Sequence, residues 1–281
     1  MIKDIVVNLS VSERQGHPAE DYAISMAGAL GAHITGIAFI YDAYIPLVYP
    51  LMSYGEAPAE VKDALKREKV ALAKEAAGRF TKATSLAGVS AESLTLSTTF
   101  AGSVDQFGRI ARRFDLAIIG QVEPQTNAYE SNIAEGALFG SGRPMIIVPY
   151  VQKAPFKLDR VMACWDGSAP AARAIADAMP LLERAGRIEL VTVAKERGKQ
   201  DEMEGADMGR HLARCGLKVD VQRIIKGHMD VAETLLTHAA DTVADMIVMG
   251  GHGHSRMREF FLGDVTDNVL RSVKLPVLMS H

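Results

Sequence analysis

Cysteine is scarce. The 281 residues contain two, Cys164 and Cys215, with no C-x-x-C spacing and no pattern of a disulfide framework. That usage fits a reducing compartment, so the expected location is cytoplasmic, and both positions read as core or near-core fillers. No apolar run approaches the ~20 residues that span a bilayer, and Met1-Ile2-Lys3-Asp4-Ile5-Val6-Val7 reads as a strand and not as a signal peptide. Neither sign of charge dominates. The net charge is -3 with acids and bases interleaved, so no nucleic-acid partner and no membrane partner is expected. A P-loop of the GxxxxGK type is missing, as are a G-x-S-x-G elbow and any Ser/His/Asp or Cys/His nucleophile pairing. His252 and His254 form an H-x-H, but no third ligand stands at a recognisable spacing, so no metal site is expected.

What is present is a soluble globular composition, 48% hydrophobic and 23% charged, in a chain long enough for one large domain or two ordinary ones. The two halves repeat each other. Each begins with an apolar strand, Asp4 to Leu9 and Arg160 to Trp165, then an alanine-rich helix, Ala19 to Leu30 and Ala169 to Leu182. Second strands follow at His33 to Ile40 and Arg187 to Ala194, third strands at Ser93 to Thr98 and Lys218 to Ile225. Each third strand leads through a glycine-bearing turn into a helix, then a fourth strand at Leu116 to Gly120 and Met246 to Gly250. Both halves close on a proline and an apolar run, Pro144 to Val148 and Pro276 to Met279. Strands alternating with helices predict right-handed βαβ units. The expected fold is α/β: two tandem, doubly wound, Rossmann-like parallel-sheet domains, residues 1-150 and 157-281, joined by the linker Val151-Gln152-Lys153-Ala154-Pro155.

The halves differ in one segment. Tyr41 to Pro58 is apolar and rich in tyrosine and proline, and reads as a lid or interface ahead of a long helix from Ala59 to about Ala87. Its counterpart, Lys195 to Cys215, is shorter and charged.

The chemistry concentrates at the end of the chain. Met246-Ile247-Val248-Met249 runs into Gly250-Gly251-His252-Gly253, and nine residues later Gly263-Asp264-Val265-Thr266 opens a segment with apolar residues at helical spacing. A strand, a glycine loop and a helix start can hold phosphate, because glycines let N–H groups approach an anion and the helix start adds unpaired donors. The same text also suits a tight turn with no ligand. Asp166-Gly167-Ser168 is open in the same way: a carboxylate at a strand tip for ribose or adenine, or a helix N-cap.

The spacing Gly-x2-Gly-x9-Gly, with Ala244 to Met249 ahead of it, Lys274 to Met279 behind it and Arg160 to Ser168 at the start of the same half, resembles the universal stress protein family. The resemblance is strong over about 157 to 281 and weak over 1 to 150. It implies a Rossmann-like fold of the adenine-nucleotide α-hydrolase type, with Asp166 at adenosine, Val193 meeting adenine through its backbone, and Met249, Gly250, His252, Gly253, Gly263, Asp264, Val265 and Thr266 along the nucleotide loop. The implied ligand is ATP or AMP, with or without Mg²⁺. Asp264 departs from the family's Ser or Thr and places a negative charge beside a polyanion, although it also suits a helix N-cap.

In the first half Ser10 stands where the adenosine aspartate belongs, Gln121 to Asn127 carries no second glycine, and Ser131-Asn132 lies opposite Gly263-Asp264, so no nucleotide is expected there. Leu138 to Pro144 reads as a helix end and turn. The resemblance therefore implies a stress-response protein with a regulatory or protective role, one nucleotide site and no catalysis beyond slow ATP hydrolysis. A pure interaction module with a decayed site is the alternative, and an adenylating ligase is disfavoured. Met145 to Val148 and Val277 to Met279 are expected side by side and antiparallel, making an internal pseudo-dimer, with a homodimer as the further option.

Overall fold

Apolar runs become strands and alanine-rich stretches become helices close to where their periodicity places them. The protein is described by a computed structural model that covers residues 1–11, 16–41, 59–121, 133–194, 200–251 and 272–281. The first half contains β1 (Asp4–Asn8), α1 (Pro18–Leu30), β2 (His33–Tyr41), α2 (Ala59–Leu86), β3 (Ala91–Thr98), α3 (Phe100–Ala111), β4 (Leu116–Gly120), α4 (Ile133–Glu135, wound on as a π-helix over Gly136–Gly140) and β5 (Met145–Val148). The second half contains β6 (Arg160–Cys164), α5 (Ala169–Leu182), β7 (Arg187–Ala194), α6 (Gln200–Arg214), β8 (Val219–Ile225), α7 (Val231–Asp241), β9 (Met246–Gly250) and β10 (Val277–Ser280). Tyr41 closes β2, and the proposed lid at 42–58 lies outside the described residues. Leu138 to Pro144 is a helix end and a turn as expected, with Gly142 in the left-handed region at φ 66°.

Among the described residues the strands form one sheet of ten, in the order β3-β2-β1-β4-β5-β10-β9-β6-β7-β8, in which the two expected tandem sheets are joined by the antiparallel strand pairing that was also expected. Within each half every pairing is parallel. The halves meet where β5 and β10 run antiparallel, with Val277 opposite Ile147, Leu278 opposite Ile146 and Met279 opposite Met145. All eight residues of these two strands are buried. Left unpaired they would present two flat apolar edges, and pairing removes both. The remaining edges, β3 and β8, mix polar and apolar residues and are partly exposed.

The hydrophobic cores follow the same logic. α1, α2, α5 and α6 cover one face and α3, α4 and α7 the other, and each core runs through both halves without a break. The repeat extends to single hydrogen bonds. Asp115, just before β4, accepts from the amides of Lys3 and Asp4, and Asp245, just before β9, accepts from Arg160 N–H at 2.8 Å. Gln121 N–H donates to Val148 as Gly251 N–H donates to Ser280, each at 2.8 Å. One expectation fails at side-chain level. Cys164 is buried, but Cys215 is exposed at the end of α6 and fills no core.

Candidate functional site

The second half changes direction once. β6 leads through α5 to β7 and β8 on one side, and the chain then returns to place β9 on the other side of β6. A doubly wound sheet opens a crevice beyond the carboxyl ends of the strands at such a point. Asp166 lies just past the tip of β6, Val193 near the tip of β7, and Met249 and Gly250 end β9, so these four expected site residues share one end of the sheet. His252, Gly253, Gly263, Asp264, Val265 and Thr266 lie outside the described residues, as do His254 and, in the first half, Ser131 and Asn132.

Local chemistry separates the roles of Asp166 and Ser168. Ser168 caps α5, its hydroxyl accepting from Ala171 N–H at 3.2 Å. Asp166 is exposed and accepts from Ser168 N–H at 3.0 Å across Gly167, whose φ of 76° suits glycine. The helix is therefore capped without Asp166, and the open choice at this tripeptide resolves to the serine. Trp165, the chain's only tryptophan, sits directly before Asp166, partly buried against the core, and its indole N–H has no hydrogen-bond partner among the described residues.

The glycine pair after β9 has structural reasons of its own. A Cβ on Gly250 would lie 2.5 Å from Ala171 N and 2.6 Å from Pro170 C, so the strand tip passes directly under the start of α5. Gly251 donates its N–H to Ser280 and accepts at its carbonyl from His281 Nδ1 at 2.9 Å. The Met249 side chain is buried in the core on the α7 face, and Val193 packs against the same core, so each can offer a ligand mainly its backbone. Cys164 belongs to that core too; burial, and then the nearby Asp166 charge, push its thiol up to about 12.

In the first half the place corresponding to Asp166 is wired shut. Ser10 N–H donates to Glu20 Oε1 at 3.2 Å, and Ser10 O accepts from Arg79 at 3.0 Å. Arg79 in turn holds the Glu20 carboxylate at 2.9 and 3.3 Å. Burial raises the Glu20 pKa, and the Arg79 contacts oppose that rise. Sequence reading misses this clamp, because Glu20 and Arg79 are 59 positions apart and neither sits in a motif. It also misses the pairing of Glu189, nearly buried on β7, with His238 of α7 at 3.2 Å.

These features define a duplicated, doubly wound α/β protein whose second half reverses its strand order at β6 and β9. Residues 157–281, somewhat under half of the chain, match the model of the Universal stress protein family. A universal stress protein of Synechocystis sp. is 28% identical over 174 residues, 59% of this chain and 57% of that protein. One from Methanocaldococcus jannaschii is 40% identical over 47 residues, 17% of this chain and 29% of that protein. The matching stretch thus spans just over half of the first relative and under a third of the second. The crystal structure of a universal stress protein from Archaeoglobus fulgidus has the same fold over both halves: TM-score 0.70 and 18% identity, covering 99% of this chain and 97% of that one.

Proposed function

We propose that this protein binds an adenine nucleotide, ATP or AMP, in the crevice of its second half and acts as a regulatory or protective stress-response protein of the cytoplasm. The observation that carries the reading is Asp166. It lies exposed just past the tip of β6, at the same end of the sheet as Gly250 and Gly251, and Ser168 caps α5. The Gly-x2-Gly-x9-Gly spacing supports phosphate contacts at Gly253, Gly263, Asp264, Val265 and Thr266, with or without Mg²⁺. The first half binds no nucleotide in this reading, since the Glu20–Arg79 pair engages both backbone groups of Ser10. It serves as the partner in an internal pseudo-dimer, joined through β5 and β10. No step beyond slow ATP hydrolysis is assigned.

Native mass spectrometry of the purified protein, followed by denaturation, should release ATP, ADP or AMP. Titration with ATP and AMP should shift the Trp165 emission, because that indole adjoins Asp166. Asp166→Ala should weaken both nucleotides by about 10- to 100-fold, the worth of hydrogen bonds to a charged group. A wild-type protein that carries no nucleotide and gives no titration would point to the interaction-module reading instead.

A further inference from the structure

We propose that Arg112, Arg143 and Arg173 form a seat for a phosphoanion at the seam of the two halves. Its geometry is independent of the nucleotide reading; only one source of the anion, the outer phosphates of ATP, rests on that reading. The strand register fixes the place. Met279 of β10 lies opposite both Met145 of β5 and Met249 of β9. The start of β5 is therefore level with the tip of β9 and two strand spacings away, about 10 Å. Gly142 and Arg143 stand just before β5, so they share an end of the sheet with Asp166 and Gly250.

The three arginines meet on one turn. Arg112, just past the end of α3, donates through Nε to Gly140 O at 3.0 Å. Arg143 donates through Nε to Arg112 O at 3.3 Å. Arg173 belongs to α5 of the second half, and its guanidinium reaches Gly142 O at 3.4 Å. The turn itself is firmly built. Ser141 is buried, and its hydroxyl donates to Ala137 O and accepts from Arg143 N–H at 3.0 Å. The π-helical turn before it is locked against α3, where a Cβ on Gly108 would meet Gly136 O at 2.7 Å.

Positive charge is left over at this spot. Asp177 holds Arg173 at 2.7 Å, and Asp105 holds Arg109 at 2.7 Å. Among the described residues no carboxylate pairs with Arg112 or Arg143, and both are exposed, as is the adjoining Arg113. A backbone carbonyl orients a guanidinium without neutralising it. A chain with a net charge of -3 thus keeps uncompensated guanidiniums together, with their Nε groups anchored and their terminal amino groups facing no described acceptor. Guanidinium forks match phosphate oxygens two at a time. The class of ligand is therefore a linear di- or triphosphate group, carried either by ATP in the neighbouring crevice or by free inorganic polyphosphate.

Calorimetry of the full chain with sodium tripolyphosphate tests the seat directly. The wild type should bind it, and raising the salt from roughly 0.05 to 0.3 M should weaken binding by about 5-fold or more. Arg112→Gln and Arg143→Gln, both at exposed positions, should each weaken it by about 5- to 20-fold, a charge-assisted hydrogen bond discounted for exposure. Arg210→Gln removes the same charge from α6, where Arg210 pairs with Asp207, and should leave the affinity within about 2-fold. The same variants sort the sources. If ATP carries the phosphates, Arg143→Gln weakens ATP and spares AMP; if free polyphosphate does, it spares both nucleotides while tripolyphosphate is lost. No tripolyphosphate binding, unchanged binding in both seat variants, or an equal loss in Arg210→Gln overturns the seat. A wild type that binds tripolyphosphate but neither ATP nor AMP overturns the nucleotide reading alone.

Discussion

Replacing Arg79 with methionine tests the clamp that closes the first half. The Glu20 side chain is 5% exposed and Arg79 31%. Methionine keeps much of the apolar stem and removes the guanidinium, leaving a buried carboxylate that accepts from Ser10 N–H and has His17 Nδ1 3.7 Å away. Breaking a buried pair from one side costs about 3–5 kcal/mol, and the water that reaches Arg79 lowers this to roughly 2–3 kcal/mol at pH 7.

The pH dependence has a definite sign. Burial already holds the Glu20 pKa above its ordinary value, so the proton is bound more tightly in the folded state. Such a group favours the fold below its unfolded pKa, and this contribution is lost as pH rises through the folded pKa. Removing the guanidinium moves the folded pKa higher still. The deficit of Arg79→Met should therefore be smallest near pH 4, where Glu20 is protonated in the variant, and largest above pH 7. Urea unfolding at several pH values measures it from the midpoints, provided the m-values match. Adding Glu20→Gln should recover about 1–2 kcal/mol at pH 7 by removing the stranded charge. A deficit that is the same at pH 4.5 and pH 7.5, or below ~0.5 kcal/mol at pH 7, would show that the pair does not close the crevice in the way argued here.

Three further perturbations address other features. Val243 follows α7 with φ 52° and is 74% exposed; a β-branched residue is strained in that region, so Val243→Gly should stabilise the protein by about 0.5–1 kcal/mol net of glycine's entropy and raise the melting temperature by roughly 1–3 °C. A thiol reagent should label Cys215 at once and Cys164 only on unfolding, because the buried thiol is held protonated, and two fast equivalents in the native state would contradict its placement. If the phosphates sit on the glycine loop, a charge at Asp264 about 5 Å away costs roughly 1–3 kcal/mol after screening, so Asp264→Ser should tighten ATP about 5- to 100-fold and AMP less, by calorimetry. Equal changes for both nucleotides would mean that Asp264 does not repel them.

The amino-acid sequence was sufficient where the physics is local. Leu116 to Gly120 and Met246 to Gly250 are continuous apolar runs with a glycine stop, and each is a buried strand with those bounds. Ala169 to Leu182 shows one apolar face, and α5 has those ends. The duplicated order of elements, the antiparallel meeting of the two last strands and the absence of the glycine motif from the first half were all legible, because hydrophobic period, proline and glycine act on the residues that carry them. Tertiary structure decided the rest. The exposure of Cys215, the Glu20–Arg79 clamp and the Glu189–His238 pair all depend on residues far apart in the chain. The glycine pair shows the division most sharply. Spacing alone reads Gly250 and Gly251 as room for an anion, whereas packing fills that room with the start of α5 on one side and Leu138 of the other half on the other. A sequence records that a side chain is missing, and only the folded neighbours determine what occupies its place.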